Sequence, residues 1–136
     1  MQKIRNSFDK QSFMKTLGAK ITKIEEGKVV IECAKNGGLT QQHGFFHAGV
    51  LTSIADSACG YAALSVMPED ADVLTVEFKV NLLRPATADK IVATGKVLKN
   101  GRTLVVCEAA VTDGSGNSEF LKMIGTMIVL KREKHS

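Results

Sequence analysis

Apolar and polar residues alternate over much of the second half of the chain. Leu74, Val76, Phe78, Val80 and Leu82 alternate with Thr75, Glu77, Lys79, Asn81 and Leu83, a period of two that predicts a long strand ended by Pro85. Ile91 to Leu98, Thr103 to Thr112 and Glu119 to Leu130 read as three more strands. Asn100-Gly101 joins the first two as a hairpin turn, and Asp113 to Asn117 is a loop. Upstream, Ala19 to Glu25 and Lys28 to Ala34 predict two strands around the turn Glu26-Gly27. Asn36-Gly37-Gly38 signals a loop, and Leu39 to Phe46 is irregular. Ala48 to Val66 is different: small and apolar residues run without alternation until Pro68, as in a helix buried on all sides. Near the start, Ser7 to Leu17 predicts one short helix. Ser7 would cap it, Phe13, Met14 and Leu17 would face inward, and Gly18 would end it.

This order, a short helix, two strands, one long apolar helix and four strands, predicts an α+β architecture with an antiparallel sheet wrapped on a central helix. The expectation is a single domain over residues 1–136, with a core at about 18–130 and a charged, mobile tail at 131–136. A long antiparallel strand at a free edge favours pairing with a second copy.

Composition narrows the function classes. The net charge of +4 suits an anionic ligand and is too mild to argue for nucleic acid. With 5% aromatic residues and no Trp, a base-stacking platform is not expected. Cys33, Cys59 and Cys107 are scattered, odd in number and outside any CxxC spacing, which predicts reduced thiols in a cytoplasmic protein. The opening MQKIRNSFDK has no apolar core of a secretory signal. Ala48 to Met67 approaches the length of a membrane span, but a lone span with Asp56 at its middle is costly, so no membrane span is expected.

Asp56 is the candidate for chemistry. It is the only charged residue between His47 and Met67, and its neighbours Ile54, Ala55, Ser57, Ala58 and Cys59 are small or apolar. A carboxylate in such surroundings is costly unless something uses it, although a plain structural Asp bonded to nearby backbone remains open. His47-Ala48-Gly49 brings small residues to the helix start, where unpaired backbone N–H groups bind an anion or polarise a carbonyl; an ordinary tight junction also fits. Asp56 lies nine positions after His47, and at ~1.5 Å per residue this is roughly 13 Å along the helix. Both features of one chain cannot touch one carbonyl. Acting together, they come from two subunits with antiparallel helices, related by a two-fold axis.

The run Gln42-His43-Gly44-Phe45-Phe46-His47-Ala48-Gly49-Val50, followed by Ala55-Asp56, resembles the hotdog thioesterases of the phenylacetate-degradation type. Val76 to Ala86 resembles their long central strand, and Lys99-Asn100-Gly101-Arg102-Thr103-Leu104 their hairpin. The resemblance covers about residues 18 to 130 and implies a hotdog fold. It implies hydrolysis of an acyl-CoA thioester to acid and CoA, no metal and no redox cofactor. It also implies a homodimer or homotetramer with the site at the dimer interface. Asp56 takes the place of the family's general base or nucleophile. The backbone N–H of Ala48, with Gly49, falls at the oxyanion donor, although the family usually has Gly where Ala48 stands. Thr75 falls where a hydroxyl helps position water. Gln41 falls where relatives have an Asn that contacts the thioester, with Gln42 as the other choice. His47 is assigned to ordering the helix start, with proton transfer kept open. Arg84, Lys99 and Arg102 are candidates for CoA phosphates, with Gly101 letting backbone approach; solvated surface charges are the competing reading.

Three other readings stay open. A hotdog dehydratase or hydratase would use His47 with Asp56. A non-catalytic acyl-CoA binding module would not need Asp56. A ligand-free oligomeric domain would not respond to CoA.

Overall fold

The computed structural model describes residues 1–131. Six strands form one sheet: β1 (Ala19–Glu25), β2 (Lys28–Ala34), β3 (Ala71–Leu82), β4 (Lys90–Asn100), β5 (Leu104–Thr112) and β6 (Glu119–Lys131). Their spatial order is β1-β2-β4-β5-β6-β3, and every neighbouring pair is antiparallel. Helix α3 (Ala48–Leu64) packs across the inner face, against β2, β4, β5 and β3. This is the α+β arrangement that the alternation and the single apolar helix predict. The expected tail at 131–136 falls outside the described residues except for Lys131, which ends β6.

The core follows from the two periods. Every second residue of β2, of the first half of β4 and of β5 is buried: Val29, Ile31 and Cys33; Ile91, Ala93 and Gly95; Val105, Cys107, Ala109 and Val111. Against them α3 buries Ile54, Ala55, Ala58, Cys59, Ala62 and Ala63, small residues that let helix and sheet approach closely. The approach is closest at Gly95 of β4. A Cβ there would lie 2.4 Å from the carbonyl carbon and oxygen of Ala58. The few hydroxyls of the first turns of α3 are satisfied locally, Thr52 donating to the Ala48 carbonyl and Ser53 to that of Gly49. Ser65 ties the far end of the helix to the β1–β2 turn by accepting the Gly27 N–H at 2.7 Å.

Two features differ from the sequence expectation. The N-terminal helix is two helices, α1 (Gln2–Lys10) and α2 (Ser12–Leu17), broken at Gln11. Ser7 lies inside α1 rather than capping it, and its hydroxyl bonds Tyr61 Oη at 3.1 Å. Ile4 and Phe8, four apart, form the buried stripe of α1, with Phe8 edge-on to the Tyr61 ring. Phe13 points outward, 52% exposed, while Met14 and Leu17 are buried and Gly18 ends α2 with φ +74°, as expected.

The second difference is a bulge in β3. Thr75 pairs with Met127, but Glu77 pairs with Thr126, so Val76 is an extra residue. Strict alternation would set Thr75 opposite to Phe78, Val80 and Leu82. The bulge instead brings Thr75 to the inner face with them, across from buried Met127, Met123 and Leu121. Leu74, paired with Ile128, stays on the outer face.

Candidate active site

Asp56 stands at mid-length on α3, half-buried on the side facing β3. The Thr75 hydroxyl donates to Asp56 Oδ1 at 2.7 Å. That bond exists because the bulge turns Thr75 inward. The other carboxylate oxygen has no hydrogen-bond partner among the described residues, and Asp56 lines a cavity of about 200 Å³ with Ser7, Gln11, Ser57, Gly60, Tyr61 and Thr75. A fixed carboxylate with one oxygen free beside a cavity can take a proton from water or attack a carbonyl carbon.

The start of α3 is built by His47. Its backbone is extended and its Nδ1 accepts the Gly49 N–H at 2.8 Å, a side-chain N-cap. The sequence reading offered Gly49 together with Ala48 as donor to an oxyanion. The structure corrects this, because the Gly49 N–H is already taken by the imidazole. The Ala48 N–H has no acceptor among the described residues and points from the positive end of the helix. Ala48 lines a second cavity, about 300 Å³, with Phe46, Leu51, Leu82, Leu83, Arg84 and Pro85. Phe46 and Leu51 are buried and line this cavity.

The preceding loop closes on Gln41. Its side-chain oxygen accepts the N–H groups of His43 at 2.7 Å and Phe45 at 3.0 Å, and Gly44 takes the positive φ (+83°) that the turn requires. Gln41 therefore organises the loop through its oxygen, and only its amide nitrogen is left to reach a ligand. Gln42 and His43 are exposed in this loop.

The remaining site residues separate into two ends. Arg84 lies at the helix start. Arg102 and Gly101 lie at the opposite end of α3, in a cavity of about 220 Å³ with Val66, Met67 and Asn100, and Lys99 is exposed beside them on β4. Gly101 is accounted for by its own hairpin: its N–H bonds the Leu104 carbonyl, and a Cβ would lie 2.3 Å from that oxygen. No hydrogen bond joins His47 to Asp56, and among the described residues no three His, Cys, Asp or Glu side chains gather as a metal set. The three cysteines are free and buried. Burial pushes all three thiols up, that of Cys107 to about 12, so none is poised as a nucleophile.

One network was not expected from sequence. Gln11, at the break between α1 and α2, donates to Tyr61 Oη at 3.1 Å and accepts from Ser57 Oγ at 3.1 Å. It joins the N-terminal helices to α3 one turn from Asp56. The signal available was the spacing of Ile4 and Phe8 from Met14 and Leu17, which breaks register at Gln11.

Residues 43–120 match the family model described as thioesterase superfamily, a span holding both the helix start and Asp56. A candidate esterase of Saccharolobus solfataricus, SSO2140, is 35% identical over 118 residues, covering 86% of this chain and 82% of that protein. The 1,4-dihydroxy-2-naphthoyl-CoA hydrolase of Listeria monocytogenes is 29% identical over 121 residues, covering 88% and 96%. The crystal structure of a thioesterase family protein from Silicibacter pomeroyi superimposes with a TM-score of 0.92 at 44% identity, covering 96% of this chain and 98% of that one.

Proposed function

This chain belongs to the thioesterase superfamily and shares its fold, and we propose that it hydrolyses an acyl-CoA thioester to free acid and CoA in sites shared by two subunits. The observation that carries the reading is the pair of half-sites on one helix. Asp56, held by Thr75, faces one cavity, and the unpaired Ala48 N–H faces another. Asp56 lies eight positions after Ala48, about 12 Å of helix. Neither half alone can both activate water and hold the oxyanion.

A second copy completes each site. β3 is an edge strand of twelve residues, and among the described residues no strand pairs with the edge it turns away from β6. The opposite edge, β1, is shorter and lined by Lys20, Lys23 and Glu25, charges that discourage pairing. Pairing β3 with β3 of a second copy about a two-fold axis sets the two α3 helices antiparallel. Asp56 of each copy then approaches the Ala48 N–H of the other.

In this site Asp56 takes a proton from water, and the water oxygen attacks the thioester carbonyl carbon. The Thr75 hydroxyl keeps its proton and directs it as a hydrogen bond to Asp56, so its oxygen lone pairs are left to accept from the same water. The negative charge developing on the carbonyl oxygen meets the Ala48 N–H of the second copy. Collapse breaks the carbon–sulfur bond, and the proton held by Asp56 passes to the leaving sulfur. Arg84 flanks the helix start and offers a charge to the CoA phosphates. The relative named as a CoA thioester hydrolase supports this ligand class. The dehydratase reading loses ground because Asp56 pairs with Thr75 and the His47 Nδ1 is spent on Gly49.

The test is thiol release from a panel of acyl-CoAs by the native protein and Asp56→Asn. The expected loss is about 10²- to 10⁴-fold in kcat, with folding and oligomer size retained. Equal release by both proteins removes Asp56 from the mechanism, and no release from any acyl-CoA removes the reading.

A further inference from the structure

The cavity beside Asp56 has one polar wall. Asp56 and Gly60 stand one turn apart on α3, and a Cβ built on Gly60 meets nothing within 4 Å, so the space next to the carboxylate is open along the helix. Val73 and Leu74 line one side. The side contributed by the N-terminal helices carries Ser7 and Gln11, facing Ser57 and the Tyr61 hydroxyl. These four side chains form one connected network. Burial holds Tyr61 in its protonated form.

The amide of Gln11 is only half used. Nε2 gives one hydrogen to Tyr61 and Oε1 takes one from Ser57. An amide has two N–H donors and two acceptor lone pairs, so one of each remains. Its two bonds fix the plane of the group, which preorganises what is left for a ligand. The size of the space matters as well. A cavity of roughly 150 Å³ holds one benzene ring, so about 200 Å³ takes a ring or a short chain with a few added atoms. A long alkyl chain continued past this point would lie against Ser7 and Gln11 and deprive their remaining donor and acceptor positions of water.

Resting on the thioesterase reading above, we propose that Gln11 determines acyl specificity, selecting compact acyl groups that carry a hydrogen-bonding oxygen at the end remote from the thioester. A hydroxyl would donate to Oε1 or accept from Nε2, and an oxo group would accept from Nε2. An unsubstituted acyl group of the same shape leaves the second N–H and the second acceptor lone pair of the amide unpaired, which is how a polar site rejects the analogue that lacks the group.

The test uses matched acyl-CoA pairs: benzoyl beside 4-hydroxybenzoyl, and pentanoyl beside 4-oxopentanoyl, with thiol release read as kcat/KM. The native protein is expected to favour the oxygenated member of each pair by roughly tenfold or more, and Gln11→Leu to bring both ratios down towards one. Gln11→Glu keeps the shape and the acceptor but removes the donor, so it should lower the oxo ratio more than the hydroxyl ratio. It also decides the question if Gln11→Leu does not fold. Equal kcat/KM within each pair for the native protein, or ratios that neither folded variant moves, would overturn the role of Gln11 while leaving the thioesterase reading in place. Absence of thiol release from all four substrates overturns both.

Discussion

At the scale of single residues, the site turns on where a few hydrogen atoms go. The Thr75 hydroxyl donates its hydrogen bond to Asp56 and the Gly49 N–H donates to His47, which leaves the Ala48 N–H as the donor that the proposed mechanism assigns to the oxyanion. Asp56 was legible in the sequence because a lone charge in an apolar helix stands out. The loss of Gly49 as a donor was not legible, since it depends on the rotamer of His47. Thr75→Val keeps the shape and removes the hydroxyl. It is expected to lower kcat about ten- to a hundredfold with KM little changed, because Asp56 loses its orienting bond and the water an acceptor. Steady-state kinetics beside the melting curve checks this. Cys33, Cys59 and Cys107 give a second prediction at this scale. Burial raises their thiols, so the thiolate fraction in the folded protein stays very low at pH 7 to 9 and grows only as pH approaches the raised values. Alkylation followed by mass spectrometry should be slow on the native protein and fast in denaturant.

At the scale of elements, the strands and the long helix were written in their periods, and their bounds fall within a few residues of the expectation. Two places escaped. Val76 is apolar and in phase with Leu74 and Phe78, so nothing in the alternation marks it as the extra residue of a bulge; only the register against β6 does. The polar stretch Gln2 to Asn6 hid the first turn of α1, because one buried Ile4 is enough when α3 supplies the other surface. Lys3 adds a tether, its ammonium bonding the Glu69 carbonyl at 2.6 Å. Gly95 is a tight joint between β4 and α3. In Gly95→Ala the new Cβ meets the backbone of α3, which cannot swing aside as a side chain can. Overpacking of this kind typically costs about 1–3 kcal/mol or more, so urea unfolding should show a lower midpoint. An unchanged midpoint would show that α3 is free to move off β4.

At the scale of the whole molecule, one chain carries two halves that do not meet. β3 leaves Leu74 58%, Phe78 41% and Leu82 57% exposed, an apolar edge that a second copy would cover. The sequence foresaw the separation, because helix rise alone keeps Asp56 from its own helix start, but it gave no sign of which edge is open. Strand order puts β3 at one end of the sheet and the shorter, charged β1 at the other, and the proposed pairing uses the β3 edge.

Shared sites can be tested by mixing two inactive subunits. Asp56→Asn lacks the base. Ala48→Pro lacks the oxyanion donor, yet proline suits the first turn of a helix and the extended His47 before it. Each variant alone should release little thiol from an acyl-CoA that the native protein cleaves. A mixed dimer joins the intact Asp56 of one chain to the intact Ala48 N–H of the other. One of its two sites is whole, so equal co-expression with random pairing should restore about a quarter of native activity. Activity in the mixture no greater than the sum of the separate variants would contradict the shared site.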